Sequence, residues 1–319
     1  GASTSFCSET TVPSAAHDVS QARRRALVGA ALSAGALCLP ASRSWAQRAA
    51  VSAVDDVAWP AAPAATAAQH QRAFAGWDER VRTQMPDVQS VAVLHRGHLA
   101  YESYRAGVTP GSLQDVQSVT KSVLALLFGA AQADGHVRGP GELVALRLPQ
   151  LLREATDPRA QRLRFAHLLT MTAGWAGEQT AQRDRDDDLR QIVRRPFVAD
   201  PGTRFSYDNG AANLAALALA NAVGQPLSTY ARQRLLAPLG IQRFAWRQGA
   251  LGRELGALGL SRTTRGMARI GELVLSEGQW AGRALLPAAF VRDATRRQSA
   301  GGYPVGQPYG YLWWVADGG

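Results

Sequence analysis

Lysine is almost missing from this chain. Of its 35 basic side chains, Lys121 is the single lysine and the rest are arginines. A guanidinium stays protonated in proteins, whereas a buried lysine amine can lose its proton and act as a base. Cysteine is nearly as scarce. Cys7 and Cys38 both precede residue 47, in a segment read below as removed on export, so a cysteine nucleophile, a disulfide and a thiolate metal site are excluded from the remainder. There is no His-Glu-x-x-His and no third ligand at metal spacing beside His95 and His98, so no metal and no cofactor are expected. Those two histidines read as exposed residues flanking a hairpin turn. No Gly-x-Ser-x-Gly elbow occurs either, which leaves His167 as a core or capping histidine rather than a triad base. The net charge is +10, but the arginines form no basic stripe with interleaved aromatics, which argues against nucleic-acid binding.

Residues 1–46 read as an N-terminal extension ending in an export signal. Arg23-Arg24-Arg25 is a basic region of twin-arginine type, and Ala26 to Leu39 is an apolar stretch of about fourteen residues, too short to span a bilayer comfortably. Pro40 ends it, and Ser44-Trp45-Ala46 offers a small-x-small cleavage site. The expectation is a periplasmic or secreted protein cleaved after Ala46, touching the membrane only through this signal. That segment carries four arginines against Glu9 and Asp18, leaving +8 for the rest. Residues 47–75 are rich in Ala and Pro and read as a linker with some helix near its end. Residues 76–319 are long enough for one large domain.

Ala73 to Met85 is predicted as an amphipathic helix with Phe74, Trp77 and Val81 on one side. Val88–His95 and Leu99–Tyr104 read as strands of a hairpin turning at Arg96-Gly97. An apolar helix follows Ser118. Phe165 begins a short helix ended by Gly174, Ala211–Ala222 is an Ala/Leu helix, and Ser228–Ala237, Thr263–Ser276 and Leu286–Arg297 are further helices. Arg183 to Asp188 is a charge run, read as a solvated loop. Tyr309 to Val315 reads as a strand in the centre of the hairpin's sheet.

Ser118-Val-Thr-Lys121 opens the first apolar helix. At i and i+3 the two side chains share one face, about 5–6 Å apart at Cβ. Ser118 then lies at the helix start, where backbone N–H groups have no partner within the helix and the positive helix end favours developing negative charge. A serine with an adjacent amine is the arrangement an activated nucleophile requires. The plain alternative is a capping serine beside a surface lysine. Tyr207-Asp208-Asn209 lies at a loop–helix junction. A phenol held near the amine can pass on a proton, and an Asn side chain can orient the lysine or a substrate amide. Asp208 between them is expected to face solvent.

These residues resemble the serine β-lactamase and penicillin-binding superfamily, on its class C and esterase-like side. Ser118-x-x-Lys121 is similar to its first motif and Tyr207-x-Asn209 to its second. Leu168-Leu-Thr-Met-Thr-Ala-Gly174, Pro201-Gly-Thr-x-Phe-Ser-Tyr207, Pro238-Leu-Gly-Ile241 and Tyr309-Gly-Tyr-Leu-Trp-Trp314 are similar to framework segments in the family's order, the last to the branch of 6-aminohexanoate-dimer hydrolase and related carboxylesterases. The resemblance implies an α/β (α+β) fold: an antiparallel sheet flanked by helices, with an inserted all-helical lobe and the site at the seam. It further implies that Ser118 is acylated, that Lys121 and Tyr207 handle protons, with the choice of base left open, and that Asn209 contacts substrate or lysine. The family's third motif, a Lys- or His-x-Gly on an edge strand, should follow the Trp-Trp segment. The chain stops first, so the C-terminal strands are expected to be missing and, with them, an oxyanion donor worth on the order of 10²–10³ in rate.

Three functions are compatible with this. The preferred one is a secreted hydrolase of a small ester, amide or peptide acting through an acyl-enzyme. The second is a penicillin-binding peptidase or sensor with slow deacylation. The third is a noncatalytic relative. The natural substrate and the oligomeric state are left open.

Overall fold

The computed structural model describes residues 57–176, 188–249 and 251–316. In chain order the elements are α1 (Ala64–Ala73), α2 (Trp77–Gln84), β1 (Ser90–His95), β2 (His98–Tyr104), β3 (Gln114–Asp115), α3 (Val119–Ala133), α4 (Pro149–Arg153), α5 (Phe165–Leu169), α6 (Leu189–Val193) and α7 (Asn209–Val223). They continue with α8 (Leu227–Ala231), β4 (Phe244–Trp246), β5 (Leu260–Arg262), α9 (Thr264–Leu275), β6 (Gln279–Trp280), β7 (Arg283–Ala284), α10 (Ala288–Thr295), β8 (Ser299–Gly302) and β9 (Gln307–Tyr309). The fold is mixed α and β, as expected, with every strand pairing antiparallel.

The core is built on α3 and α7. Helix α3 buries Val123 through Ala131 without interruption, because its run of Val, Leu, Ala and Phe is apolar on every face. Phe128 meets Phe165 of α5 with ring centroids 4.9 Å apart and Phe290 of α10 at 5.9 Å. Gly129 makes room for that second ring, since a Cβ there would strike Phe290. Gly135, at φ 78°, ends α3 in the left-handed region. Helix α7 is held at its start by Asp208, whose side chain accepts from Ala211 N at 3.2 Å, and stops at Gly224, φ 69°.

A short sheet of order β3-β5-β4 anchors the start of α3. Gln114 pairs with Arg262, and beyond the strand Val116 N donates to Leu260 O at 2.9 Å. Leu260 N in turn donates to Thr120 Oγ1 at 3.2 Å. The polypeptide feeding α3 and its first turn are therefore fixed to one strand.

Several expectations need correction. Of the helix predicted over 73–85, only Trp77–Gln84 forms as α2; residues 74–76, with Gly76 at φ 78°, separate it from α1, which ends at Ala73. The break lets Phe74 stack on Tyr101 of β2, centroids 4.9 Å apart, with Trp77 edge-on to the same ring. Helix α8 passes into a π-helical turn over Arg232–Leu236. The hairpin turn is as predicted, with Arg96 and Gly97 both at positive φ. His95, however, is not an exposed turn residue: its Nδ1 lies 3.0 Å from Nε2 of the buried His70 on α1. The 309–315 segment is not a central strand of the hairpin's sheet. β9 pairs with β8, and the chain then turns at Gly310 and Leu312, φ 60°, since Leu312 N donates to Leu169 O at 2.7 Å and Leu312 O accepts from Ser122 Oγ at 3.0 Å. Of the charge run, residues 183–187, like the signal at 21–46, lie outside the described residues; Asp188 caps α6. Among the described residues no helix is long and apolar enough to cross a membrane.

Candidate active site

Ser118 stands at the junction of three constraints. Asp115 accepts the Gln117 N–H at 2.8 Å and the Gln117 side-chain amide at 2.9 Å. That grip holds Gln117 at φ 47°, a left-handed conformation costly for a residue with a Cβ. The turn delivers Ser118 to the N-cap of α3 with its side chain exposed, although the hydroxyl makes no capping bond. One turn on, Lys121 is 1% exposed. Its Nζ donates to Ser118 Oγ at 3.2 Å, to Asn209 Oδ1 at 2.7 Å and to Ala257 O at 2.7 Å. The two carbonyl oxygens among these partners are neutral acceptors.

Tyr207 completes the group. Lys121 Nζ lies 4.9 Å from its ring centroid, and its hydroxyl hydrogen-bonds with Ser118. Burial pushes the phenol above its ordinary value, and the hydrogen bond with Ser118 offsets this only in part. The loop carrying Tyr207 is pinned to the turn after α5: Ser206 N donates to Met171 O at 2.8 Å, and Asp208 N lies 3.4 Å from Met171 Sδ. Behind the phenol, Trp314 stacks at 5.5 Å with an interplanar angle of 18°. Tyr309 sits edge-on to Trp314 at 4.7 Å, and Phe205 contacts both rings. The aromatic 309–314 segment is thus the wall that holds Tyr207.

The four residues singled out from the sequence, Ser118, Lys121, Tyr207 and Asn209, come together across the α3–α7 seam. Asp208 does not face solvent. It is 3% exposed and bridges to Arg195, Nη2 to Oδ2, at 2.8 Å. The cap of α7 and that guanidinium, not Lys121, use its carboxylate. His167 caps α5: Arg164 N donates to its Nδ1 at 3.2 Å, and burial together with the nearby Arg164 charge depresses its pKa. Reading the sequence missed three contributors. The Trp314 wall was visible as an aromatic run but assigned to a strand. Asn213, one turn after Asn209 in an otherwise Ala/Leu helix, was a readable signal. Ala257 acts through its backbone, which no side-chain pattern reveals. Among the described residues no group of three or more His, Cys, Asp or Glu is placed to hold a metal ion.

Comparison with known proteins identifies the framework. A family model described as Beta-lactamase matches residues 67–319. The chain belongs to the β-lactamase family. Chains of this family are in general serine hydrolases. Among solved structures, a Bacillus anthracis protein provisionally named 6-aminohexanoate-dimer hydrolase is similar at TM-score 0.63 and 18% identity, covering 73% of this chain and 67% of its own. A provisionally named β-lactamase from Bacteroides dorei gives TM-score 0.63 and 21% identity, with coverage of 76% and 78%. The β-lactamase/D-alanine carboxypeptidase from Pseudomonas syringae gives TM-score 0.58 and 20% identity, with coverage of 78% and 75%. At these identities the likeness concerns the fold. No curated protein sequence matches the chain.

Proposed function

We propose that this β-lactamase-family protein hydrolyses an ester or amide of a small molecule or peptide through an acyl-enzyme on Ser118. The observation that carries the reading is Lys121 Nζ at 3.2 Å from Ser118 Oγ, with Asn209 Oδ1 and Ala257 O each at 2.7 Å. Carbonyl oxygens only accept. In the neutral amine they take both N–H bonds, so the contact with Ser118 reverses and the hydroxyl donates to the Nζ lone pair.

Lys121 takes the hydroxyl proton as Ser118 Oγ bonds to the substrate carbonyl carbon and the carbonyl π pair moves to oxygen. The N-terminal end of α3 favours that negative charge. The tetrahedral species then collapses, the C–O or C–N bond breaks, and the leaving group receives the proton from Lys121 by way of Tyr207. Water attacks the acyl carbon, gives up its proton along the same path, and Ser118 Oγ departs reprotonated, releasing the acid. Burial raises the Tyr207 phenol above its ordinary value, which works against its ionised form. This favours Lys121 as the base and Tyr207 as the relay.

The test is labelling of the full chain with a fluorophosphonate and turnover of a p-nitrophenyl ester, in the parent and in Ser118→Ala. Loss of both in the variant supports the reading; ester turnover that survives in Ser118→Ala overturns it. A long-lived fluorescent penicillin adduct with negligible ester turnover would move the assignment to a slowly deacylating penicillin-binding protein. Residues 21–46 support export by the twin-arginine route; a secreted form beginning at Gln47 is the expected product, and an uncleaved cytoplasmic chain would remove that part of the proposal.

A further inference from the structure

We infer that Asn213 is a positioning residue for Lys121, acting through Ala257. The inference rests on the reading of Lys121 as the base. Asn209 and Asn213 are four residues apart on α7 and so share one face. Asn209 Oδ1 accepts from Lys121 Nζ directly. Asn213 Oδ1 accepts from the Ala257 N–H at 2.9 Å, and the Ala257 carbonyl accepts from Nζ at 2.7 Å. One helix face thereby sets two of the directions around the amine, one by contact and one through an intervening residue.

The segment carrying Ala257 is pressed onto α7. Gly256 permits the approach, since a Cβ there would collide with Ala212 O and Ala216 Cβ. Bonds on either side of Ala257, Leu255 N to Arg247 O at 3.0 Å and Arg247 N to Gly259 O at 2.8 Å, hold the ends of the segment. The bond from Ala257 N to Asn213, a residue only 5% exposed, ties the Ala257 residue itself to α7 and so aims its carbonyl. A neutral amide suits this position. An aspartate would accept the same bond but add a negative charge that stabilises the ammonium form of Lys121.

The other ionisable groups around the amine are accounted for. Tyr207 presents its ring to Nζ, and Tyr309 lies behind Tyr207. Asp208 is paired with Arg195, and Glu254, on the Ala257 segment, accepts from Leu227 N and Ser228 Oγ.

The experiment measures acylation of the full chain by a p-nitrophenyl ester as a function of pH, with Asn213→Ala, Asn213→Asp and Ser118→Ala compared with the parent. Asn213→Ala is expected to slow acylation roughly 10- to 100-fold, the scale of a misaimed catalytic group, with KM nearly unchanged. Asn213→Asp is expected to restore the rate at high pH while moving the acid limb of the profile upward. A rate in Asn213→Ala equal to the parent's overturns the inference. So does an Asn213→Asp profile with its limb unmoved, which decides the matter if the alanine variant does not fold. If Ser118→Ala abolishes turnover and the Asn213 variants behave as the parent, the hydrolase reading stands and only this inference falls. Turnover surviving in Ser118→Ala overturns both.

Discussion

The seam between α3 and α7 and the edge made by α1, α2 and the β1–β2 hairpin treat polar groups in opposite ways. In the seam Lys121, Asp208 and Asn213 are each no more than 5% exposed, and their bonds run to a backbone carbonyl, amides, the Ser118 hydroxyl and one guanidinium. At the edge every residue of β1 and β2 is half-buried, and beside the contact of His95 with the buried His70 run solvated pairs such as Tyr101 with Asp78 and Arg82 with Glu79. A buried polar group left unpaired loses its full hydration, so its geometry is strictly imposed. An exposed pair trades one hydrated state for another and imposes little. Chemistry that depends on a lone pair aimed within a few tenths of an ångström belongs in the first setting.

The contrast is broken most severely by Lys121→Arg, which keeps the positive charge and removes the base. Acylation should fall by on the order of 10⁴, measured as the ester burst rate, with the circular dichroism of the fold retained; sustained ester turnover would refute the Ser118–Lys121 pairing. Next comes Tyr207→Phe, which keeps the ring against Trp314 and loses only the hydroxyl. A fall of roughly 10²–10³ in kcat is expected, and an unchanged kcat would take the phenol out of the proton path.

Smaller effects test the scaffold. Gly129→Ala should cost about 1–3 kcal/mol in a denaturant titration, because the added methyl overpacks against Phe290. His167 gives a pH signature. Its folded pKa lies below the ordinary 6.5, so below that value the unfolded chain binds more protons and stability declines as pH falls. Protonation also removes the lone pair that accepts Arg164 N, a capping bond worth about 1 kcal/mol. Thermal midpoints between pH 7 and pH 5 should fall in the parent and flatten in His167→Gln. At the edge, Arg82→Ala should change stability by less than about 0.5 kcal/mol, as exposed pairs do; a cost several times larger would mean the edge is as tightly imposed as the seam.

The legible parts were those with strong local signals. The apolar runs of α3 and α7 formed helices as expected, and the Arg96-Gly97 turn carried its own backbone requirement. Ser118 and Lys121 were readable because spacing on a helix is local, and Tyr207 and Asn209 because the motif sits at a helix start. The errors have physical causes too. Phe74–Gly76 breaks a helical pattern because both flanking aromatics gain contact with Tyr101. Residues 309–315 have strand composition, but bonds from Leu169 and Ser122 turn the backbone at Leu312 instead. Asp208 was assigned to solvent because charge usually is, and nothing nearby in the chain announces Arg195.

What the order of residues supplied was the set of side chains on which the proposed chemistry rests: one amine among arginines, a hydroxyl one turn before it, and a phenol and an amide in a second motif. What it left to folding was the aim of that amine. The direction of Nζ depends on Ala257 O, reached 136 residues away in the chain, and on a phenol braced by Trp314. A hydrogen bond of 2.7 Å between groups so distant in the chain forms only through tertiary packing, here of the irregular segment before β5 against α7, because neither a backbone carbonyl nor a stacking wall leaves a mark on local pattern.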